Sequence, residues 1–124
     1  MHGIVLALAL ASISLSAVAQ VLLKLGMTGG GVRAAIAAGA GVGIVRAVLL
    51  SPGVMGGLLL YGLGTVLWLA VLARAELSQA YPFVGLSFVL TAAMGYLLFA
   101  DAMSPARLAG IALIVLGVAL VGRS

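Results

Sequence analysis

"PGVMGGLLLYGLGTVLWLAVLARAELSQAYPFVGLSFVLTAAMGYLLFA", Pro52 to Ala100, decides the fold. It holds two apolar stretches, about residues 52–73 and 77–100, with only "RAE" between them. Each is close to the ~20 residues that a helix needs to cross ~30 Å of hydrocarbon at 1.5 Å per residue. Arg74 and Glu76 bracket so short a turn that the two helices must run antiparallel as neighbours.

Two further stretches of that length flank the pair. "PARLAGIALIVLGVALVG", about 105–122, follows it, and about 3–25 precedes it. Ser51-Pro52 and Ser104-Pro105 each read as an N-cap followed by a first helical residue. Asp101 closes the third span. The 124 residues are 65% hydrophobic and 6% charged, whereas soluble chains carry about 25% charged residues. The expected fold is an all-α membrane protein, a single domain over residues 1–124, built as a four-transmembrane-helix bundle.

Residues 27–50 interrupt this regularity. "GMTGGGV" reads as a flexible loop. "AAIAAGAGVGIV" is short and glycine-rich for a span. "VGIVRAVLL" reads as an interfacial helix with Arg46 among the headgroups. The expectation is an extra interfacial helix or re-entrant loop over about 33–50, between the first two spans. A fifth span is the rival, and it would leave Arg46 in hydrocarbon.

At the N-terminus, "LALALASISLSAVAQ" resembles a signal sequence, but no Lys or Arg precedes the apolar run, and the run continues through Val21 to Leu23. A retained helix is expected. Of the six basic residues, Lys24, Arg33, Arg46 and Arg107 fall on one side of a four-span layout, and Arg74 and Arg123 on the other. The positive-inside rule then puts the first and third loops in the cytoplasm. Such scattered charges suit topology and headgroup contact, not nucleic acid. Without cysteine, with one histidine and two acids, no metal centre, thiol chemistry or cofactor site is expected.

Which residues carry chemistry? In "SISLSAVAQVLLK", Ser12, Ser16, Gln20 and Lys24 stand four apart and share one helical face. Serines on such a face commonly bond between helices, and a terminal lysine snorkels. A primary amide and an ammonium one turn apart also suit a phosphate or a hydroxyl-rich headgroup. Tyr61, Thr65 and Trp68 recur at helical spacing near the middle of the second span, where a cavity wall competes with an interfacial role. Tyr81, Ser87 and Thr91 could face them from the third. Pro82 has no amide hydrogen and crowds the carbonyl of Ser78, so a bend is expected, with Pro82 and Gly85 as a candidate hinge. Gly110 and Gly117, seven apart, share a face with Ala106 and Leu113. Small residues there permit close helix approach, either within the bundle or in a dimer.

No acid lies inside any span, since Glu76 and Asp101 sit near helix ends. No Ser/His pair or acid pair supports hydrolysis, so an enzyme is not expected. His2 is terminal and alone, and reads as a solvated residue.

The segment from Leu77 to Gly122 resembles the small drug/metabolite transporter group, which includes the small multidrug resistance transporters. "GIALIVLGV", Gly110 to Val118, is similar to that family's fourth-helix dimer motif. "AYP", Ala80 to Pro82, resembles the start of its third helix, and "LLK", Leu22 to Lys24, the end of its first. Those exporters carry an essential Glu in the first helix, where this chain, aligned on Lys24, has Ser16. The small aminoarabinose-phosphoundecaprenol flippase subunits, which also lack that Glu, resemble the chain more fully, in "SAVAQVLLK", "LWLAVL", "AYPFVGLSFV" and "MSPARLAGIAL".

This resemblance implies a flippase for a polyprenyl-phosphate-linked sugar or similar anionic lipid, in a bacterial inner membrane, as a homodimer or as a heterodimer with a related small four-span protein. Lys24 and Gln20 would hold phosphate, and Ser12 and Ser16 would offer hydroxyls. Tyr61, Trp68 and Tyr81 would contact sugar or isoprenoid, and Arg33 and Arg46 would draw the headgroup in. The alternatives are a proton-coupled exporter of small cationic solutes, which would need Glu76 or Asp101 to titrate, and a non-transporting subunit of a larger assembly.

Overall fold

A computed structural model describes residues 3–123; His2 lies outside them. The described chain is helical and has no strands. Four helices are long and apolar enough to cross a membrane: Gly3–Met27, Pro52–Leu72, Leu77–Phe99 and Pro105–Arg123. We label the elements α1 (Gly3–Met27), α2 (Gly30–Ala38), α3 (Gly41–Leu50), α4 (Pro52–Leu72), α5 (Leu77–Ala80), a 3-10 turn (Tyr81–Phe83), α6 (Val84–Phe99) and α7 (Pro105–Arg123).

Both expected caps form. Ser51 Oγ accepts from the Val54 amide at 3.5 Å, and Ser104 Oγ accepts from the Arg107 amide at 3.2 Å. In each case a proline stands at the first helical position, where its missing N–H leaves nothing unpaired. Between α1 and α4 the expected extra helix is present, as α3, and a second short helix precedes it. Helix begins at Gly30, inside the glycine run, and the segment folds as two short helices broken at Gly39–Ala40. Gly39 takes φ 75°, which glycine adopts without a Cβ clash. α3 has ten residues, ~15 Å, about half a bilayer core.

α1 is the centre of the bundle and packs antiparallel on α4. The register is visible in small residues. A methyl group at Gly53 would lie 2.9 Å from the Gly26 backbone; one at Gly57 would lie 3.0 Å from the Ala19 carbonyl; one at Gly64 would lie 3.2 Å from the Ser12 carbonyl. Val5, Ala9, Val71 and Ala80 continue the contact into a buried cluster at the 73–76 turn. The contacting positions therefore recur every seven residues on both helices: 5, 12, 19 and 26 on one, 57, 64 and 71 on the other. This is the spacing of a helix pair packed at a shallow angle, with backbones drawn together by glycine and alanine.

The third span changes from α-helix to a 3-10 turn at Pro82, the residue expected to disturb it. It comprises α5, the 3-10 turn and α6, and the Val84 amide bonds back to Tyr81 O across the turn. Gly85 is an ordinary helical residue next to this break. A methyl group there would lie 3.0 Å from Ile114 Cγ2, so Gly85 seats α7. Ile13, Phe83 and Val118 form the second buried cluster, backed by Leu86 and Ile114. α7 otherwise faces outward.

Candidate functional site: a groove inside the bundle

α1 packs along α4 and also against α6, whereas α4 and α6 make no extended contact. The two outer helices diverge around α1 and leave a groove with α1 as its floor. Its volume is about 670 Å³. The buried cluster of Val5, Ala9, Val71 and Ala80 closes it at the end nearest the 73–76 turn, and Trp68 packs on that cluster. By helix register, Gln20 and Thr91 stand at the other end.

Ser12, Ser16 and Gln20 line the floor, Tyr61, Thr65 and Trp68 one wall, and Tyr81, Ser87 and Thr91 the other. All nine were singled out in the sequence. Their spacing works because residues one turn apart project from one side of a helix. The sequence reading missed the apolar members, Ile13, Val84 and Phe88. A signal existed for two of them: Val84 and Phe88 stand on the Ser87–Thr91 side of the third span, at helical spacing from Tyr81.

Several hydroxyls on the lining are already engaged. Ser12, itself buried, donates to Gly64 O at 2.6 Å, a bond between α1 and α4. Thr65 donates to Tyr61 O at 2.9 Å, Ser87 to Val84 O at 2.6 Å, and Thr91 to Ser87 O at 2.9 Å. Each spends its one proton on backbone and keeps lone pairs toward the groove. The donors left for an occupant are the Gln20 amide, the Ser16, Tyr61 and Tyr81 hydroxyls and the Trp68 indole N–H. The lining thus offers acceptors, aromatic faces and a few neutral donors, but no charge.

The charged residues lie elsewhere. Lys24 is exposed in the last turn of α1, one turn beyond Gln20, and is not on the groove lining. Arg33 and Arg46 are exposed on α2 and α3, at the end of the bundle where α1 stops and α4 starts. Glu76 is exposed at the start of α5. Asp101 follows α6, which ends at Ala100 in the left-handed conformation, φ 54°, and its carboxylate folds back beside Gly95. Among the described residues no group of three His, Cys, Asp or Glu side chains could hold a metal ion. Gly110 and Gly117 have no neighbour within 4 Å of an added methyl, and Leu113 is 69% exposed. The face expected for a dimer is therefore open in the single chain.

A protein of Pseudomonas aeruginosa named "Probable 4-amino-4-deoxy-L-arabinose-phosphoundecaprenol flippase subunit ArnE" is 45% identical over 76 residues, which is 61% of this chain and 66% of that protein. The chain is similar to small flippase subunits. Proteins of the same name from Pseudomonas paraeruginosa and Serratia proteamaculans are each 44% identical, over 75 and 62 residues. The first covers 60% of this chain and 65% of the relative, the second 50% and 54%. The aligned stretch thus spans less than two thirds of each of these ArnE subunits. No family model matches the chain, and no solved structure matches it.

Proposed function

We infer that the chain is a subunit of a flippase that moves a polyprenyl-phosphate-linked sugar, or a similar anionic lipid, across a bacterial inner membrane, and that it catalyses no covalent step. The observation that carries this reading is the groove: open between α4 and the third span with α1 as its floor, lined by hydroxyls, an amide and aromatic rings, and free of charge. A sugar matches such a lining. Its hydroxyls donate to the lone pairs of Ser12, Thr65, Ser87 and Thr91 and accept from Gln20 and Ser16. Its carbon face stacks on Tyr61, Trp68 or Tyr81. A fully charged phosphate does not match that lining, because a charge buried without a counter-charge is costly. The phosphate belongs one turn further out, against Lys24, with Arg33 and Arg46 attracting it at the interface for about 1 kcal/mol each. The isoprenoid stays in lipid beside Phe88 and Val84.

The relatives' name supports the same class of cargo, and the word "subunit" in it supports assembly with a second chain, identical or related. Gly110, Leu113 and Gly117 are the surface we assign to that contact. Alternation of access requires the groove to close at the Gln20 end and open at the Val71–Ala80 end, with the break at Pro82 and Gly85 as hinge. An exporter of cationic solutes would need a titrating acid on the lining, and Glu76 and Asp101 stand off it.

Trp68 is the only tryptophan, and it lies on the groove wall. Its fluorescence reports occupancy directly. With reconstituted protein and a labelled polyprenyl-phosphate sugar, Gln20→Ala and Lys24→Ala are expected to slow translocation tenfold or more, and the parent's Trp68 emission to change on binding. Parental transport by Lys24→Ala defeats the assignment of Lys24. Transport of protons against cationic drugs, abolished by Glu76→Gln with Asp101→Asn, defeats the flippase reading.

A further inference from the structure

We propose that Phe83 is a positioning residue: seated against α7, it sets where the third span stands and thereby how wide the groove opens. The inference deepens the reading above by naming what shapes the binding site, and it rests on that reading only for the use the groove is put to.

The 3-10 turn faces two ways. Tyr81 and Val84 line the groove. Phe83, between them, is instead buried in the cluster with Ile13 and Val118. A 3-10 helix turns once in three residues, so Tyr81 and Val84 project from one side and Phe83 from another. Four consecutive residues thus carry part of a groove wall and a contact with α7. Pro82, its φ fixed by its ring, stiffens the link between them. A displacement of the Phe83 ring therefore carries Tyr81 and Val84 with it.

α7 has little other hold on the bundle. It packs on α6 and the 3-10 turn and makes no comparable contact with α1 or α4. Among the described residues Val118 is its one buried side chain. That residue sits in the Phe83 cluster and also beside Gly85, where a methyl group would lie 3.6 Å from its Cγ2. One turn further on, a methyl group at Gly122 would lie 3.2 Å from Phe83 Cζ. The tip of the ring is closed in by α7, and only the absence of a side chain at Gly122 makes room for it.

Ile13 completes the path from the other side. It belongs both to the Phe83 cluster and to the groove floor. Phe83 is thus seated between α7 and the floor itself. Acyl tails are as apolar as α7, so close packing of this kind, not apolarity, holds the helix in place. Packed side chains pass displacement on rather than absorb it. The 3-10 turn is where the third span can yield, since its hydrogen bonds are poorer than those of an α-helix and Pro82 offers no amide hydrogen.

Trp68, the only tryptophan, stands on the opposite wall and reads the width. The full chain is placed in lipid vesicles without cargo, and Trp68 is quenched with acrylamide. Gly122→Leu presses on the ring, pushes the wall inward and is expected to lower the quenching constant at least twofold. Phe83→Ala releases the wall and is expected to raise it at least twofold. In the Phe83→Ala background Gly122→Leu meets no ring and is expected to have no effect. Phe83→Leu, which also lacks the ring tip, takes the place of Phe83→Ala if the latter does not fold, as read by circular dichroism. A residue that only packs would shift the SDS unfolding midpoint and leave quenching at the parental value, and that result overturns the proposal. So does a Gly122→Leu effect that is the same with and without the ring. With no cargo present, failure of the flippase reading leaves these outcomes standing, and their failure leaves that reading standing.

Discussion

Gly57 and Gly64 on α4 and Gly110 and Gly117 on α7 are both glycine pairs seven residues apart on apolar helices, yet they serve different surfaces. The α4 pair is filled. Ala19, Leu23, Ser12 and Ser16 of α1 stand where a methyl group would go. The α7 pair meets nothing in the same chain. The first builds the floor and one wall of the groove; the second is an open surface beside the small contact that Gly85, Ile114 and Val118 make. In lipid this difference cannot come from apolarity, because acyl tails are as apolar as leucine. Close packing and hydrogen bonds such as Ser12–Gly64 decide which small face is used inside.

Three substitutions grade that contrast, each read by SDS unfolding followed through Trp68. Gly53→Ala should cost most. Its methyl meets the Gly26 backbone at 2.9 Å, neither helix can yield locally, and a loss of about 1–3 kcal/mol is expected. An unchanged unfolding midpoint would refute the α1–α4 register. Gly85→Ala should cost less, about 1 kcal/mol, because its 3.0 Å neighbour is a side-chain methyl, Ile114 Cγ2, and the lightly held α7 can move the few tenths of an ångström that relieve it. A loss equal to that of Gly53→Ala would make α7 as firmly held as α1. Gly117→Leu should leave single-chain stability within about 0.5 kcal/mol, since it enters open space. The same variant should weaken association with the partner subunit at least tenfold in a sedimentation or crosslinking assay, and undiminished association removes this face from the interface.

Much of the architecture was legible because it rests on local rules. Span length, the short 73–76 turn, the Ser-Pro caps and the break at Pro82 each depend on a few neighbouring residues. So did the polar side of the groove, since Ser12, Ser16 and Gln20, or Tyr61, Thr65 and Trp68, are placed on one face by helical period alone. In the segment 27–50 the extra helix was legible but its start was not: Gly30 and Gly31 enter a helix whose remaining residues are mostly alanine, with one arginine, all good helix formers. The α1–α4 seam was also overlooked, although Ser12, Ala19 and Gly26 repeat at the same interval as Gly57 and Gly64.

Composition and period, then, determined a four-span membrane bundle without a buried acid, and they assigned each polar residue to a face. They could not assign faces to one another, because a face repeats along a helix without naming its partner. Only the tertiary structure brought the polar faces of α1, α4 and the third span together around one groove. It also set Lys24 outside that lining and left the glycines of α7 open. Those outcomes turn on how closely backbones can approach, which depends on pairs of distant residues such as Gly26 with Gly53 and Ser12 with Gly64.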